Sequence, residues 1–240
     1  MANSYLYDNI YKIGFNEVQK YIPDFIHPNF ITFLSFVFVN LIGFYFTKIH
    51  ILAILWFLYW VCDNLDGIHA RNSNQTSNLG AILDHIVDSY SLLIILKLFF
   101  TYNKFNGLTD YLILFSSICF LSSHLLYYYT GELDLGFKNI SIDELNLFGF
   151  LSLLTCFRIT DVINSNLIGL VILGITSYIT INNIKKIKEK HNIKIPLFIF
   201  IYCILFFMIY HKNLFIMCLI NMFISSFLFI NNKNNNKILT

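Results

Sequence analysis

Apolar runs of about 15 to 20 residues recur from Phe30 almost to the end of the chain, separated only by short polar breaks. Each is long enough to approach the length of a bilayer-crossing helix, and none alternates polar with apolar residues as a membrane β-strand would. The chain therefore reads as all-α: a polytopic transmembrane helical bundle. Composition agrees, because of 240 residues 57% are hydrophobic and only 12% are charged, about half the usual 25% of a soluble domain. That excludes a disordered tail, a coiled coil and an ordinary cytosolic enzyme. A net charge of +2 is too small to argue for nucleic acid. The five cysteines, Cys62, Cys119, Cys156, Cys203 and Cys218, form no CxxC pair and read as buried reduced thiols.

Eight spans are predicted, near 30–47, 49–71, 79–101, 109–130, 145–160, 165–182, 195–210 and 213–230. Residues 4–22 carry Leu6, Ile10 and Ile13 at helical spacing among Asp8, Lys12, Glu17 and Lys20, which predicts an interfacial helix. They hold no apolar h-region, so no cleavable signal peptide is expected. The division is thus an amphipathic segment (1–24), one integral-membrane domain (25–231) and a polar tail (232–240). With the N-terminus inside, eleven Lys and Arg residues fall on the inner side, the run Lys185 to Lys194 among them. Four (Lys48, Lys104, Arg158 and Lys212) fall outside, and Lys97 lies within a span, obeying the positive-inside rule.

Chemistry concentrates between Cys62 and Tyr90. Asp63, Asp66, Asp84 and Asp88 lie at the inner ends of the second and third predicted spans. A carboxylate at mid-bilayer costs about 2.5–3.5 kcal/mol, and four clustered acids repel one another unless cations bind between them. Asp63 and Asp66 are i,i+3, and Asp84 and Asp88 are i,i+4, so two neighbouring helices can each present two carboxylates to one cavity. All-oxygen donors suit Mg²⁺ or Mn²⁺. Gly67 and Gly80 leave room for a ligand against the backbone, and Arg71 supplies a fork for phosphate oxygens. Two hard cations, an arginine and glycine gaps describe a site for a pyrophosphate.

Asp63-x2-Asp66-Gly67-x2-Ala70-Arg71-x8-Gly80-x3-Asp84-x3-Asp88 resembles the signature of the CDP-alcohol phosphotransferases (the class I CDP-alcohol phosphatidyltransferase family) at all eight fixed positions. Pro28-Asn29-Phe30-Ile31-Thr32 resembles that family's opening of its first span. Asp84-His85, with Thr130-Gly131-Glu132-Leu133-Asp134-Leu135-Gly136 further on, is similar to the choline- and ethanolaminephosphotransferase branch, although Ile86 stands where that branch has glycine.

The resemblance implies a six-helix core. It implies two Mg²⁺ or Mn²⁺ ions on Asp63, Asp66, Asp84 and Asp88, and a CDP pocket lined by Asn29, Thr32, Gly67, Arg71 and Gly80. Asp88 is the implied general base, with His85 as its rival. His69 reads as a surface or headgroup-facing residue, and His27, His50, His124, His191 and His211 show no ligand spacing. The expected activity is transfer of phosphoethanolamine or phosphocholine from a CDP-alcohol to diacylglycerol in an endomembrane such as the endoplasmic reticulum, with the site facing the cytosol, membrane lipids as surroundings and CMP released. A CDP-diacylglycerol-dependent phosphatidyltransferase acting on inositol, serine or glycerol phosphate is the second reading, and an inactive membrane scaffold the third. The family commonly pairs as homodimers, which carries over as an expectation by analogy.

Overall fold

The structure, a computed structural model, describes residues 11–45, 48–105, 107–131, 142–190, 195–210 and 213–230. Among them every regular element is helical: α1 (Lys12–Gln19), α2 (Pro28–Phe44), α3 (Ile49–Asn72), α4 (Asn78–Tyr102), α5 (Thr109–Thr130), α6 (Ile142–Leu154), α7 (Ser165–Lys190), α8 (Ile195–Ile209) and α9 (Leu214–Ile230). The predicted spans coincide with α2 to α9 to within a few residues, with two exceptions: α6 ends before the predicted 160, and α7 continues past the predicted 182 to Lys190. Residues 1–10 of the predicted interfacial helix, residues 132–136 of the second motif and the polar tail lie outside the described residues.

Among the described residues four helices are long and apolar enough to cross a bilayer: α3, α4, α5 and Ser165–Glu189 within α7. Helices α2, α6, α8 and α9 run 13 to 17 residues, shorter than the roughly 20 a perpendicular crossing needs.

Local chemistry explains the helix ends that build the site. Pro28 opens α2 at the first helical position, where its missing N–H costs nothing, and the Nδ1 of His27 accepts from Asn29 N at 3.2 Å. Helix α3 ends in a Schellman turn. Asn74 is left-handed (φ 56°), Gln75 N donates to Ala70 O at 2.8 Å and Asn74 N to Arg71 O at 3.4 Å. Ser77 then caps α4, its Oγ accepting from Gly80 N at 3.0 Å. Only five residues turn the chain from α3 into α4, so both ends of the signature lie at one end of the bundle, with α2 packed on both helices. Gly131, left-handed at φ 76°, ends α5.

The core is apolar and aromatic, with Trp56, Tyr90, Leu93, Leu98, Leu112 and Phe206 almost fully enclosed. Helix α2 packs along α3 and α4, α9 along α4, α7 along α5, and α6 along α3. Polar side chains inside the bundle bond across helices, as they must where lipid supplies no partner. Asn221 of α9 donates to Ser89 O at 2.7 Å, one residue past Asp88. Tyr90 OH donates to Asn40 Oδ1 at 2.6 Å. At the opposite end of α4, Asn103 Oδ1 accepts from Ile159 N at 2.9 Å and its carbonyl accepts from Thr160 Oγ1.

Helix α6 stops at Leu154, short of the predicted 160. Cys156 is left-handed (φ 54°) and a 3₁₀ turn follows at Ile159–Asp161, held by Asn103. Hydropathy continues smoothly through Phe157 and hides that turn. Cys156 is also exposed, and Cys62 and Cys203 are half-buried, so only Cys119 and Cys218 are buried thiols.

Candidate active site

Helices α3 and α4 bring three carboxylates together. One oxygen each from Asp63, Asp84 and Asp88 lies within 4.8 Å of the others, and all three residues are half-buried. Three like charges so close cannot all remain ionised without a counter-charge. Hard oxygen donors converging in this way fit a divalent cation such as Mg²⁺ or Mn²⁺, and Asp63, Asp84 and Asp88 would hold it.

Asp66 stands apart from this trio. It is only 5% exposed, its Oδ2 accepts from Thr32 Oγ1 at 2.5 Å, and its Oδ1 accepts from Gly67 N at 2.6 Å. The carboxylate is thereby fixed by α2 and by its own helix. It shares with Asp84 the lining of a cavity of about 180 Å³. Every residue expected to bind the nucleotide diphosphate lines that cavity: Asn29, Thr32, Gly67, Arg71 and Gly80.

Both glycines stand at close approaches to neighbouring side chains. A Cβ on Gly67 would stand 3.2 Å from Arg71 Nη1, and one on Gly80 would stand 3.0 Å from Asn29 Oδ1 and 3.1 Å from Ser77 Oγ. The guanidinium of Arg71 thus lies over Gly67, and the α2 N-terminus abuts the start of α4. Among the described residues Arg71 makes no ion pair, so its fork is available to an anion.

His85, one residue after Asp84, turns to the other side of α4. Its ring meets the ring of His124 on α5 edge-on, with centroids 5.5 Å apart. His124 is enclosed, and its Nδ1 contacts Phe120 O at 3.1 Å. A carbonyl only accepts, so the proton sits on Nδ1. His69, expected at the surface, is instead fully buried (0% exposed). Its Nε2 donates to Ile26 O at 2.8 Å and its Nδ1 accepts from Gln19 Nε2 at 3.2 Å. The reason is the segment before α2, which folds back over the end of α3: Phe15 and Tyr11 pack on Trp60, and Asn72 donates to Gln19 Oε1 at 2.8 Å.

Sequence reasoning missed the connecting loop, whose Gln75, Thr76 and Ser77 line the cavity. The signal was present, since Ser77 three residues before Gly80 is a helix-start pattern. The pairing of Thr32 with Asp66, 34 residues apart, carries no local signal.

Taken together, a helical membrane bundle sets an acidic trio beside a cavity walled by Asp84 of that trio, a separately anchored fourth aspartate, an arginine and two closely packed glycines. Residues 25–132, which span α2 to α5, match the family model of CDP-alcohol phosphatidyltransferase. That stretch, a little under half of the chain, is similar to this family of transferases of phosphate-containing groups. It is 51% identical over 41 residues to a CDP-diacylglycerol–serine O-phosphatidyltransferase of Encephalitozoon cuniculi (strain GB-M1), covering 17% of this chain and 11% of that protein. It is 31% identical over 100 residues to choline/ethanolaminephosphotransferase 2 of Arabidopsis thaliana, covering 36% of this chain and 26% of that protein. The matched stretches therefore span only small fractions of these relatives.

Proposed function

We propose that this chain transfers a substituted phosphate from a CDP-linked donor to a hydroxyl acceptor in phospholipid synthesis, releasing CMP. The observation that carries the reading is the convergence of Asp63, Asp84 and Asp88 within 4.8 Å beside a cavity walled by Asp66, Arg71, Gly67 and Gly80. Acids, fork and gaps are what a metal-bound diphosphate requires. The four aspartates would hold two Mg²⁺ or Mn²⁺ ions. Divalent ions bound there offset the charge of the diphosphate and polarise the phosphorus under attack.

The chain's own groups do the rest. Thr32 and the Gly67 N–H fix Asp66. Arg71 takes diphosphate oxygens, and Asn29, Thr32, Gly67 and Gly80 shape the pocket around the CDP moiety. Asp88 takes the proton of the acceptor hydroxyl. The new O–P bond forms on the phosphorus distal to cytidine as the bond to the CMP oxygen breaks, and CMP departs with the electron pair. A base in hydrogen-bond reach contributes about 10²–10⁴-fold. Asp88 is preferred over His85 as base because it stands among the acids, whereas the His85 ring lies against His124.

For substrates, we favour phosphoethanolamine or phosphocholine as the transferred group and diacylglycerol as the acceptor. The similarity to the plant choline/ethanolaminephosphotransferase and the Asp84-His85 pair support this. The higher identity of the shorter match to a CDP-diacylglycerol–serine O-phosphatidyltransferase favours the second reading, in which CDP-diacylglycerol is the donor. Purified protein given CDP-ethanolamine, CDP-choline or CDP-diacylglycerol separately, each with its acceptor and Mg²⁺ or Mn²⁺, decides between them. CMP release from the first two supports the favoured reading, release from CDP-diacylglycerol alone supports the second, and no release from any donor supports an inactive scaffold.

A further inference from the structure

The loop between α3 and α4 places a carboxamide in the wall of the cavity. Gln75 lines the cavity together with Thr76 and Ser77, and its Nε2 donates to the backbone carbonyl of Asp24 at 2.6 Å. That bond settles the orientation of the amide. A carbonyl oxygen only accepts, so the NH₂ end of Gln75 must face Asp24 and Oε1 is left as the acceptor end. Flipping the amide would set two carbonyl-type oxygens against each other.

The segment carrying Asp24 is itself tied down. His69 holds Ile26 O, Gln19 bridges His69 and Asn72, and Phe15 packs on Trp60. The amide is therefore held from behind by a segment outside the α3–α4 pair, with one polarity only.

We propose that Gln75 is the residue that distinguishes the donor's base, its oriented Oε1 accepting from the exocyclic amino group of cytosine. The inference rests on the proposed function in supposing a nucleoside diphosphate with its phosphates toward Asp66, Asp84 and Arg71. It supposes likewise that the base lies toward the loop. Cytosine and uracil differ there in one respect: cytosine presents an NH₂ donor where uracil presents a carbonyl acceptor. A fixed acceptor favours the first and opposes the second. A site built to hydrogen-bond one group rejects an analogue lacking it far better than shape alone can, and the Asp24 carbonyl prevents the amide from turning to accommodate uracil.

The test is binding of CMP and of UMP to the purified full-length protein in detergent with Mg²⁺, by calorimetry, for wild type and Gln75→Ala. Wild type is expected to prefer CMP by about tenfold or more, the scale of one well-placed hydrogen bond and its mismatch. Gln75→Ala is expected to lose most of that preference by weakening CMP while UMP changes less than twofold. An equal loss of both nucleotides would mean that Gln75 only shapes the rim, and equal wild-type affinities would mean that no base is read there. Either result overturns the proposal while leaving the transferase reading intact. Wild type that binds neither nucleotide overturns both.

Discussion

At the residue scale the proposed site is tested by single substitutions. Asp88→Asn keeps size and removes the charge. It is expected to lower CMP release by at least about 10²-fold while the protein still inserts and melts as wild type, checked by turnover alongside a thermal scan. Thr32→Val keeps the branched shape and removes the hydroxyl that holds Asp66. Its turnover is expected to fall about tenfold, the scale of one hydrogen bond to a charged group, and Thr32→Ser is expected to restore it. These residues differ in how far the sequence revealed them. The acids, Arg71 and both glycines were legible because helical spacing puts them on facing sides of two consecutive helices. The roles of Thr32 and His69 were not, because each depends on a partner tens of residues away, and no periodicity encodes a long-range contact.

At the scale of elements, helix limits followed the apolar runs wherever a cap residue marked them. Pro28, Ser77 and Gly131 all mark real ends. The end of α6 escaped because Cys156 adopts a left-handed turn without glycine or proline, and the bond that holds the turn comes from Asn103 in another helix. The seam between α3 and α6 is narrow. A Cβ on Gly149 would lie 2.5 Å from the Trp56 ring, whose Nε1 donates to Asn146 Oδ1 at 3.3 Å. Gly149→Ala is therefore expected to destabilise the fold by about 1–3 kcal/mol, the usual cost of overpacking, as a lowered melting temperature in detergent. An unchanged melting temperature would mean that α6 does not press on α3 as described.

For the whole molecule, the topology puts the acids, the capped start of α4 and the docked segment 11–26 at one end, and Asn103 with the turn after α6 at the other. By the positive-inside rule, the basic run from Lys185 onward predicts that the site end faces the cytosol. On that expectation the exposed Cys156 would face the opposite compartment. In sealed vesicles with their cytosolic face outward, a membrane-impermeant thiol reagent is expected to label Cys156 only after permeabilisation. A cysteine introduced by Asn74→Cys, in the exposed loop beside the site, is expected to react at once. The reverse pattern would invert the orientation.

The convergence of carboxylates from α3 and α4 on divalent ions is tested most directly by Mn²⁺ binding to the purified protein, followed by electron paramagnetic resonance with and without CMP. Saturable binding that tightens with CMP and collapses in Asp84→Asn is expected. A wild-type protein that takes up no Mn²⁺, or an Asp84→Asn protein that binds it as well as wild type, would contradict the metal-centred site.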